Sequence, residues 1–239
     1  MSYVSPYYDE PYAAEAAASA RAAFIRRTYG HLAGAILAFT ALETLLVKMT
    51  PPEVIVSMIT GYGWLFCLGA FMVVSWVADR WARSNTSRGM QYLGLSLYVA
   101  AEAVIFLPLL YVAANFSSPE VIPCAAILTL AVFGGLTAAV FVTRHDFSHL
   151  RTILCLGSFI ALGIIVVSIF IGYTPGLWFS FAMVALASGC ILYDTSNVLH
   201  HYRTDQHVAA ALALFAAVAT LFYYILMLLI QLQGGGSRD

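Results

Sequence analysis

Two acidic residues, Asp194 and Glu102, lie in stretches of sequence that are otherwise apolar enough to span a lipid bilayer. A charged side chain at the centre of a membrane helix costs about 2.5–3.5 kcal/mol on insertion scales, so each carboxyl group needs a partner, a proton or an aqueous cavity. Acids in such places often mark proton relays or ion pathways. Both residues are therefore candidate pH-sensing or ion-contacting groups, and a structural hydrogen-bonding role stays open for each.

Asp194 lies about five residues, roughly 8 Å, from the end of its apolar stretch. Residues three, four and seven positions away share its helical face. They include Ala187, Cys190, Asn197 and His201. This stripe of small and polar residues predicts that Asp194 faces the protein interior and not lipid.

Several side chains near the same helix end could pair with Asp194. Burial disfavours the charged form of a carboxyl group and a nearby cation favours it, so an acid under both influences changes charge after a small change in its surroundings. The candidate partners are Arg80, Arg83, Asn197, His200, His201 and Arg203. The sequence does not choose among them.

Glu102 and Glu43 differ in their predicted depth in the bilayer. Glu102 is about 11 residues into its span, near the middle of the bilayer, and it must be neutral, paired or facing a cavity. Glu43 lies about one turn from the end of the first span, where a long side chain can extend toward the lipid headgroups. We therefore expect Glu43 to snorkel and Glu102 to be buried.

The amino-acid composition is typical of an integral membrane protein. Of 239 residues, 62% are hydrophobic and 10% are charged, which is outside the range of soluble domains. A spanning helix needs about 20 mostly apolar residues, and seven such stretches occur, at 28–47, 54–78, 91–113, 121–143, 152–173, 176–199 and 208–230. We predict an all-α, multi-pass protein in the lipid bilayer, with a polar N-terminal tail at 1–27, a seven-helix transmembrane domain at 28–231 and a short C-terminal tail at 232–239.

The positions of the basic residues predict the orientation, because Lys and Arg are retained on the cytoplasmic side. A cytoplasmic N-terminus places nine of the 11 inside: Arg21, Arg26, Arg27, Arg80, Arg83, Arg88, Arg144, Arg151 and Arg203. Lys48 and Arg238 would be outside. The formal net charge of −1 offers no basic face for nucleic acid.

No residue pattern predicts catalysis, a metal or a cofactor. None of the four cysteines lies within four residues of another, which argues against a zinc site. His145 and His149 lack a third ligand at zinc spacing. Ser188, in the sixth span, would need a histidine within the membrane, and His31 lies in the first span. We expect no enzymatic activity.

Gly30 and Gly34 form a G-x-x-x-G pair in the first span. Small residues at this spacing allow membrane helices to approach closely. We interpret the pair as an intramolecular packing site, with a dimer contact as the alternative.

Three motifs occur in order along the chain: "FIRRTYGHLAGAI" at 24–36, "TRHDFSHL" at 143–150 and "LYDTSNVL" at 192–199. Together they resemble the Bax inhibitor-1 family of membrane proteins, which includes bacterial modulators of the FtsH protease. The resemblance runs from Phe24 to the C-terminus. It implies six transmembrane helices around a central seventh.

In calcium-permeable members of that family, the aspartate of the sixth helix works with a second aspartate on the seventh as a proton-sensitive pair that controls a cation leak. Asp194 matches the first position, but "ALALFAA" places Ala217 at the second. Two carboxyl groups in one site repel each other strongly when charged, and a single one loses that coupling.

The departure at Ala217 is closer in character to the FtsH-modulator branch. That branch implies a regulatory protein of a bacterial inner membrane that contacts a membrane-embedded AAA protease complex, with the N-terminal tail as a candidate contact region. A pH-sensitive calcium or cation leak that uses Asp194 is the alternative, in which Ca²⁺ or protons are the ligands.

Overall fold

The computed structural model describes residues 11–60, 62–84 and 87–235. In this part of the chain the ordered elements are α-helices and one 3₁₀ turn, Ser148–Leu150. The helices are α1 (Ala18–Met49), α2 (Pro52–Ile59), α3 (Gly63–Ala82), α4 (Arg88–Phe116), α5 (Val121–Thr143), α6 (Arg151–Ile171), α7 (Leu177–His200) and α8 (His207–Gly235). All except α2 are long and apolar enough to cross a membrane, which confirms the predicted class with seven spans.

The predicted second span, 54–78, is wrong in its bounds, because the chain forms two helices there. The eight residues of α2 reach only about 12 Å and cannot cross a bilayer. Glycine is required where α3 begins, since a Cβ on Gly63 would collide with the carbonyl oxygen of Ser57 in α2. The span is therefore α3 alone, and Asp79 lies in its last turn.

The first helix begins ten residues earlier than predicted, at Ala18 instead of residue 28. The alanine-rich sequence explains this extension, because alanine has the strongest helix propensity. At the other end of the chain, α8 continues to Gly235, past residue 230, where the seventh span was predicted to end.

Residues 11–17, part of the predicted N-terminal tail, lie against the loop between α7 and α8. The Ala13 amide donates a hydrogen bond to the Tyr202 carbonyl oxygen at 2.9 Å, and the Thr204 amide donates to the Pro11 carbonyl oxygen at 3.2 Å. The Arg21 guanidinium donates back to the Ala13 carbonyl oxygen at 2.7 Å. Ala13 is completely buried, so this segment is held on the bundle. Residues 1–10 of the predicted tail, and 236–239 at the other end, lie outside the described residues.

The centre of the bundle is formed by two helices. α8 packs against α1, α3, α4, α5 and α7, whereas α6 packs mainly on α7. α4 is as deeply buried as α8. Aromatic rings join these helices to α1, with Phe39 5.0 Å from Phe106 and 5.9 Å from Phe215 between ring centroids. α8 therefore shares the centre with α4.

A close contact fixes α3 against α4. A Cβ on Gly94 would lie 2.5 Å from the carbonyl oxygen of Ala78 and 2.6 Å from the amide of Ala82. Both alanines are buried, with at most 1% of their surface exposed. The absence of a side chain at Gly94 thus lets the last turn of α3, which carries Asp79, lie directly on α4.

Candidate functional site

Asp194 lines a cavity of about 560 Å³ among α3, α4, α6, α7 and α8. The cavity lies toward the end of the bundle that carries Arg27, Arg83 and Arg88, called here the basic end. Ala187 and Cys190, from the predicted small-residue stripe on α7, line the same space, whereas Asn197 and His201 are not part of its wall.

Ala217 also lines this cavity, opposite α7 on helix α8. Its side chain is buried, with 5% of its surface exposed. The position that carries the second aspartate in the family pattern thus faces the same space as Asp194, and a methyl group occupies it.

Asp79 supplies a second acid to the cavity from a different helix. The Arg83 Nε donates hydrogen bonds to both carboxylate oxygens of Asp79, at 2.8 and 2.9 Å. Sequence reasoning missed Asp79. The available signal was its spacing from Arg83, since opposite charges four residues apart lie on one helical face.

Arg83 is the basic side chain that interacts electrostatically with Asp194. It also donates a hydrogen bond to the hydroxyl of Tyr202, in the loop between α7 and α8. Burial raises the pKa of Tyr202 to about 12, so its phenol stays neutral near pH 7. One guanidinium thus links Asp79, Asp194 and Tyr202.

The other arginines proposed as partners of Asp194 lie elsewhere. The Arg80 guanidinium stacks over the Trp76 ring, 5.6 Å from its centroid. The Arg203 Nε lies 3.5 Å from a carboxylate oxygen of Asp205. Neither residue lines the cavity that contains Asp194.

His201 lies near a different acid, Asp146, in the loop before α6. Its Nε2 is 3.8 Å from an Asp146 carboxylate oxygen. The backbone amide of Ser148 donates to Asp146 at 2.9 Å and holds the pKa of that carboxyl group below its usual range. Asn197 accepts hydrogen bonds through its backbone carbonyl, from the His201 amide at 2.8 Å and from the Tyr202 amide at 3.0 Å.

The buried hydroxyl of Ser196 joins two of the sequence motifs. It accepts a hydrogen bond from the Phe147 amide at 2.9 Å and lies 3.4 Å from a carboxylate oxygen of Asp146. The segment "TRHDFSHL" is therefore held against "LYDTSNVL" two positions after Asp194. Ser196 is a second position that sequence reasoning missed.

Glu102 lines another cavity, of about 770 Å³, which extends to the opposite end of the bundle near Pro175 and Gln231. Its carboxyl group accepts a hydrogen bond from Tyr98, one helical turn earlier on α4. The two cavities adjoin, because both are lined by Ile165, Met183 and Thr220.

Glu43 does not snorkel, contrary to expectation. It is buried, with 5% of its surface exposed, and interacts electrostatically with Glu102. Neither of its carboxylate oxygens has a hydrogen-bond partner among the described residues. The physical reason is the rotation of α1, whose buried face carries Ala35, Phe39 and Glu43 at four-residue spacing.

Carboxyl groups of the described residues therefore lie along much of the bundle. Within the described ranges, no three His, Cys, Asp or Glu side chains cluster as metal ligands. The geometry is suited to holding protons or a weakly bound cation between an acid and its neighbours.

Comparison with known proteins identifies the family. Residues 21–234 match the family described as "Inhibitor of apoptosis-promoting Bax1". The chain belongs to the Bax inhibitor-1 family. Bax inhibitor 1 of Schizosaccharomyces pombe is 30% identical over 227 residues, which cover 94% of this chain and 82% of the yeast protein.

Two bacterial proteins are similar to this chain to about the same degree. An uncharacterized protein of Pseudomonas aeruginosa is 30% identical over 208 residues, covering 85% of this chain and 87% of that protein. The modulator of FtsH protease YccA of Escherichia coli is 26% identical over 219 residues, covering 90% and 91%. Together with the seven long apolar helices, this similarity makes the chain a multi-pass membrane protein.

Proposed function

We propose that this protein regulates a membrane-embedded AAA protease of the FtsH type in a bacterial inner membrane, without catalysing a reaction itself. The observation that carries the proposal is Ala217, which lines the Asp194 cavity where the calcium-permeable pattern has an acid. Asp79 does not replace that acid, because Arg83 pairs with both of its oxygens. The similarity to the E. coli FtsH modulator along nearly the whole chain supports the same assignment.

The N-terminal segment provides a physical connection between a partner at the basic end and Asp194. Ala13 is hydrogen-bonded to the backbone of Tyr202, whose hydroxyl accepts a hydrogen bond from Arg83. Arg83 in turn interacts with Asp194. A protease that binds the N-terminal segment would therefore shift the surroundings of the buried acid, and a change of charge at Asp194 would alter the position of the segment.

Reconstitution in liposomes tests the proposed regulatory role. The protein is placed in liposomes with E. coli FtsH, and the degradation of a membrane-anchored substrate is followed over time. We expect the wild type to co-purify with the protease and to slow substrate turnover at least threefold. Ala13→Asp, which places a charge at a buried position, should abolish the effect.

Ala14→Asp is the matched control, because Ala14 is exposed beside Ala13. It should slow proteolysis as the wild type does. Unchanged turnover with wild-type protein, together with failure to co-purify, would rule out the regulatory role.

A cation leak is the second candidate, and the adjoining cavities favour it. They bring Asp79 and Asp194 to the wall of one cavity and Glu102 to the wall of the next. Ile165, Met183 and Thr220 line both cavities. Calcium flux into liposomes should then depend on pH. Asp194→Asn should change that dependence, whereas the exposed α2 variant Glu53→Gln should not.

A further inference from the structure

A groove of about 640 Å³ runs between α1 and α4 on the membrane-facing surface of the bundle. Its floor consists of the buried residues Ala35, Leu95 and Val99. Its walls are small and exposed residues from both helices: Gly30, Gly34, Ala38, Ser96 and Ala100.

The two glycines of the G-x-x-x-G pair keep this groove open. No atom of a neighbouring residue lies within 4 Å of the position that a Cβ would take on Gly30 or Gly34. The expected intramolecular packing at this pair is therefore wrong. The small side chains leave space beside α4, and that space faces the bilayer.

Basic groups gather where the groove reaches the basic end. Arg27 and His31 line it there, and the His31 ring is 5.0 Å from the ring of His207 between centroids. Arg27, Arg88 and His31 all interact electrostatically with His207, so Arg88, which does not itself line the groove, lies near the same histidine as Arg27. Among the residues that the structure describes, no carboxylate lies within 4 Å of Arg27 or Arg88.

We propose that this groove binds an anionic phospholipid, with the phosphate against Arg27 and Arg88 and one acyl chain along the glycine face of α1. The dimensions suit this ligand. From residue 30 to residue 42 the groove follows α1 for about 18 Å, close to half of the ~30 Å hydrocarbon core and thus to the depth of one leaflet. Basic pockets between membrane helices at the headgroup level are suited to anionic lipid headgroups.

The charges argue against a second copy of the chain as the occupant. A two-fold contact places the same surface of both copies face to face. Across such a contact, Arg27 and Arg88 of one copy would lie near the same residues of the other. An anionic headgroup satisfies these cations, whereas self-association brings like charges together.

Native mass spectrometry tests the proposal. The purified full-length protein is incubated in detergent with phosphatidylglycerol or with phosphatidylcholine, and bound lipid is counted. The wild type should retain phosphatidylglycerol at least fivefold better than phosphatidylcholine. The double variant Arg27→Gln with Arg88→Gln should lose this preference, and Gly34→Leu should lose retention of both lipids.

Two variants serve as controls. Arg26→Gln removes an exposed charge from the neighbouring position on α1, and Gly163→Leu fills an exposed, uncrowded glycine position on α6. Both should bind lipid as the wild type does. Equal losses in the controls, or no preference for phosphatidylglycerol in the wild type, would overturn the lipid site.

A dimer that forms without lipid and dissociates in Gly34→Leu would also overturn it, because the groove would then be a self-association face. Should Gly34→Leu fail to fold, the arginine double variant decides the outcome by itself. Circular dichroism establishes that each variant is helical.

Discussion

Arg83 illustrates how one side chain determines the chemistry around a buried acid. It makes two short hydrogen bonds to Asp79 and interacts with Asp194 and Tyr202. Charge-assisted hydrogen bonds of this kind are about twice as strong as neutral ones. Because Arg83 is shared, a change at any of its three partners alters the electrostatic environment of the others.

Glu43, unlike Asp79, has no hydrogen-bond partner in the part of the chain that the structure describes, and it interacts electrostatically with a second acid, Glu102. Glu43→Gln removes one of the two acids, and with it their mutual repulsion, and keeps the size of the side chain. We expect the variant to be more stable by about 1 kcal/mol, because the like-charge interaction is lost. The midpoint of thermal unfolding in detergent measures this difference.

Glu53→Gln is the control for Glu43→Gln, because Glu53 is exposed on α2. It should leave the unfolding midpoint unchanged. A lower midpoint for Glu43→Gln than for the wild type would show that the acid at this position stabilises the fold.

At the scale of elements, the close contact between α3 and α4 allows a prediction about stability. Gly94→Ala would place a methyl group against the backbone of Ala78 and Ala82. Overpacking of this kind costs about 1–3 kcal/mol. We expect a lower unfolding midpoint and a displaced Asp79. Gly89→Ala, at an open position in the same helix, should be neutral or stabilising, and equal effects of the two variants would disprove the close contact.

We expect the stability of the protein to depend on pH through Asp146, which lies in the loop between α5 and α6. The folded pKa of Asp146 lies below its usual value, because the Ser148 amide donates to the carboxylate. The stabilisation is therefore present above the unfolded pKa of about 3.9 and is lost as the pH falls through the folded pKa. Asp146→Asn should lower the unfolding midpoint at pH 7 and should differ less from the wild type below about pH 4.

Thermal unfolding between pH 3 and pH 7 measures this effect. Glu120→Gln, at an exposed position before α5, supplies a variant with the same loss of one carboxylate. A difference between Asp146→Asn and the wild type that stays constant over the whole range would exclude a role for the charge of Asp146.

At the scale of the whole molecule, α7 and α8 bring residues 194 and 217 to one cavity. Ala217→Asp should therefore restore a coupled pair, because two carboxyl groups in one site titrate together. We expect a pH-dependent calcium leak in liposomes that contain this variant. The leak should disappear in the double variant Ala217→Asp with Asp194→Asn, and a pH response identical to that of the wild type would mean that the two positions do not couple.

The sequence by itself determined the membrane class, the seven spans and the inward face of α7. These features depend on the transfer free energy of single segments and on helical periodicity, both of which are local properties of the chain. The same reasoning identified Asp194 and Glu102 as acids that need a partner or a cavity, and the motif around Asp194 indicated the family.

Only the tertiary structure decided which groups meet. The pairing of Arg83 with Asp79, the burial of Glu43 beside Glu102 and the open groove beside Gly34 depend on how each helix is rotated and how closely it approaches its neighbours. In a bilayer, small differences in packing and interhelical hydrogen bonding set these rotations, because lipid is as apolar as the side chains it touches. Hydropathy therefore predicts that a helix lies in the membrane, but only the contacts between helices determine which of its side chains face one another in the interior.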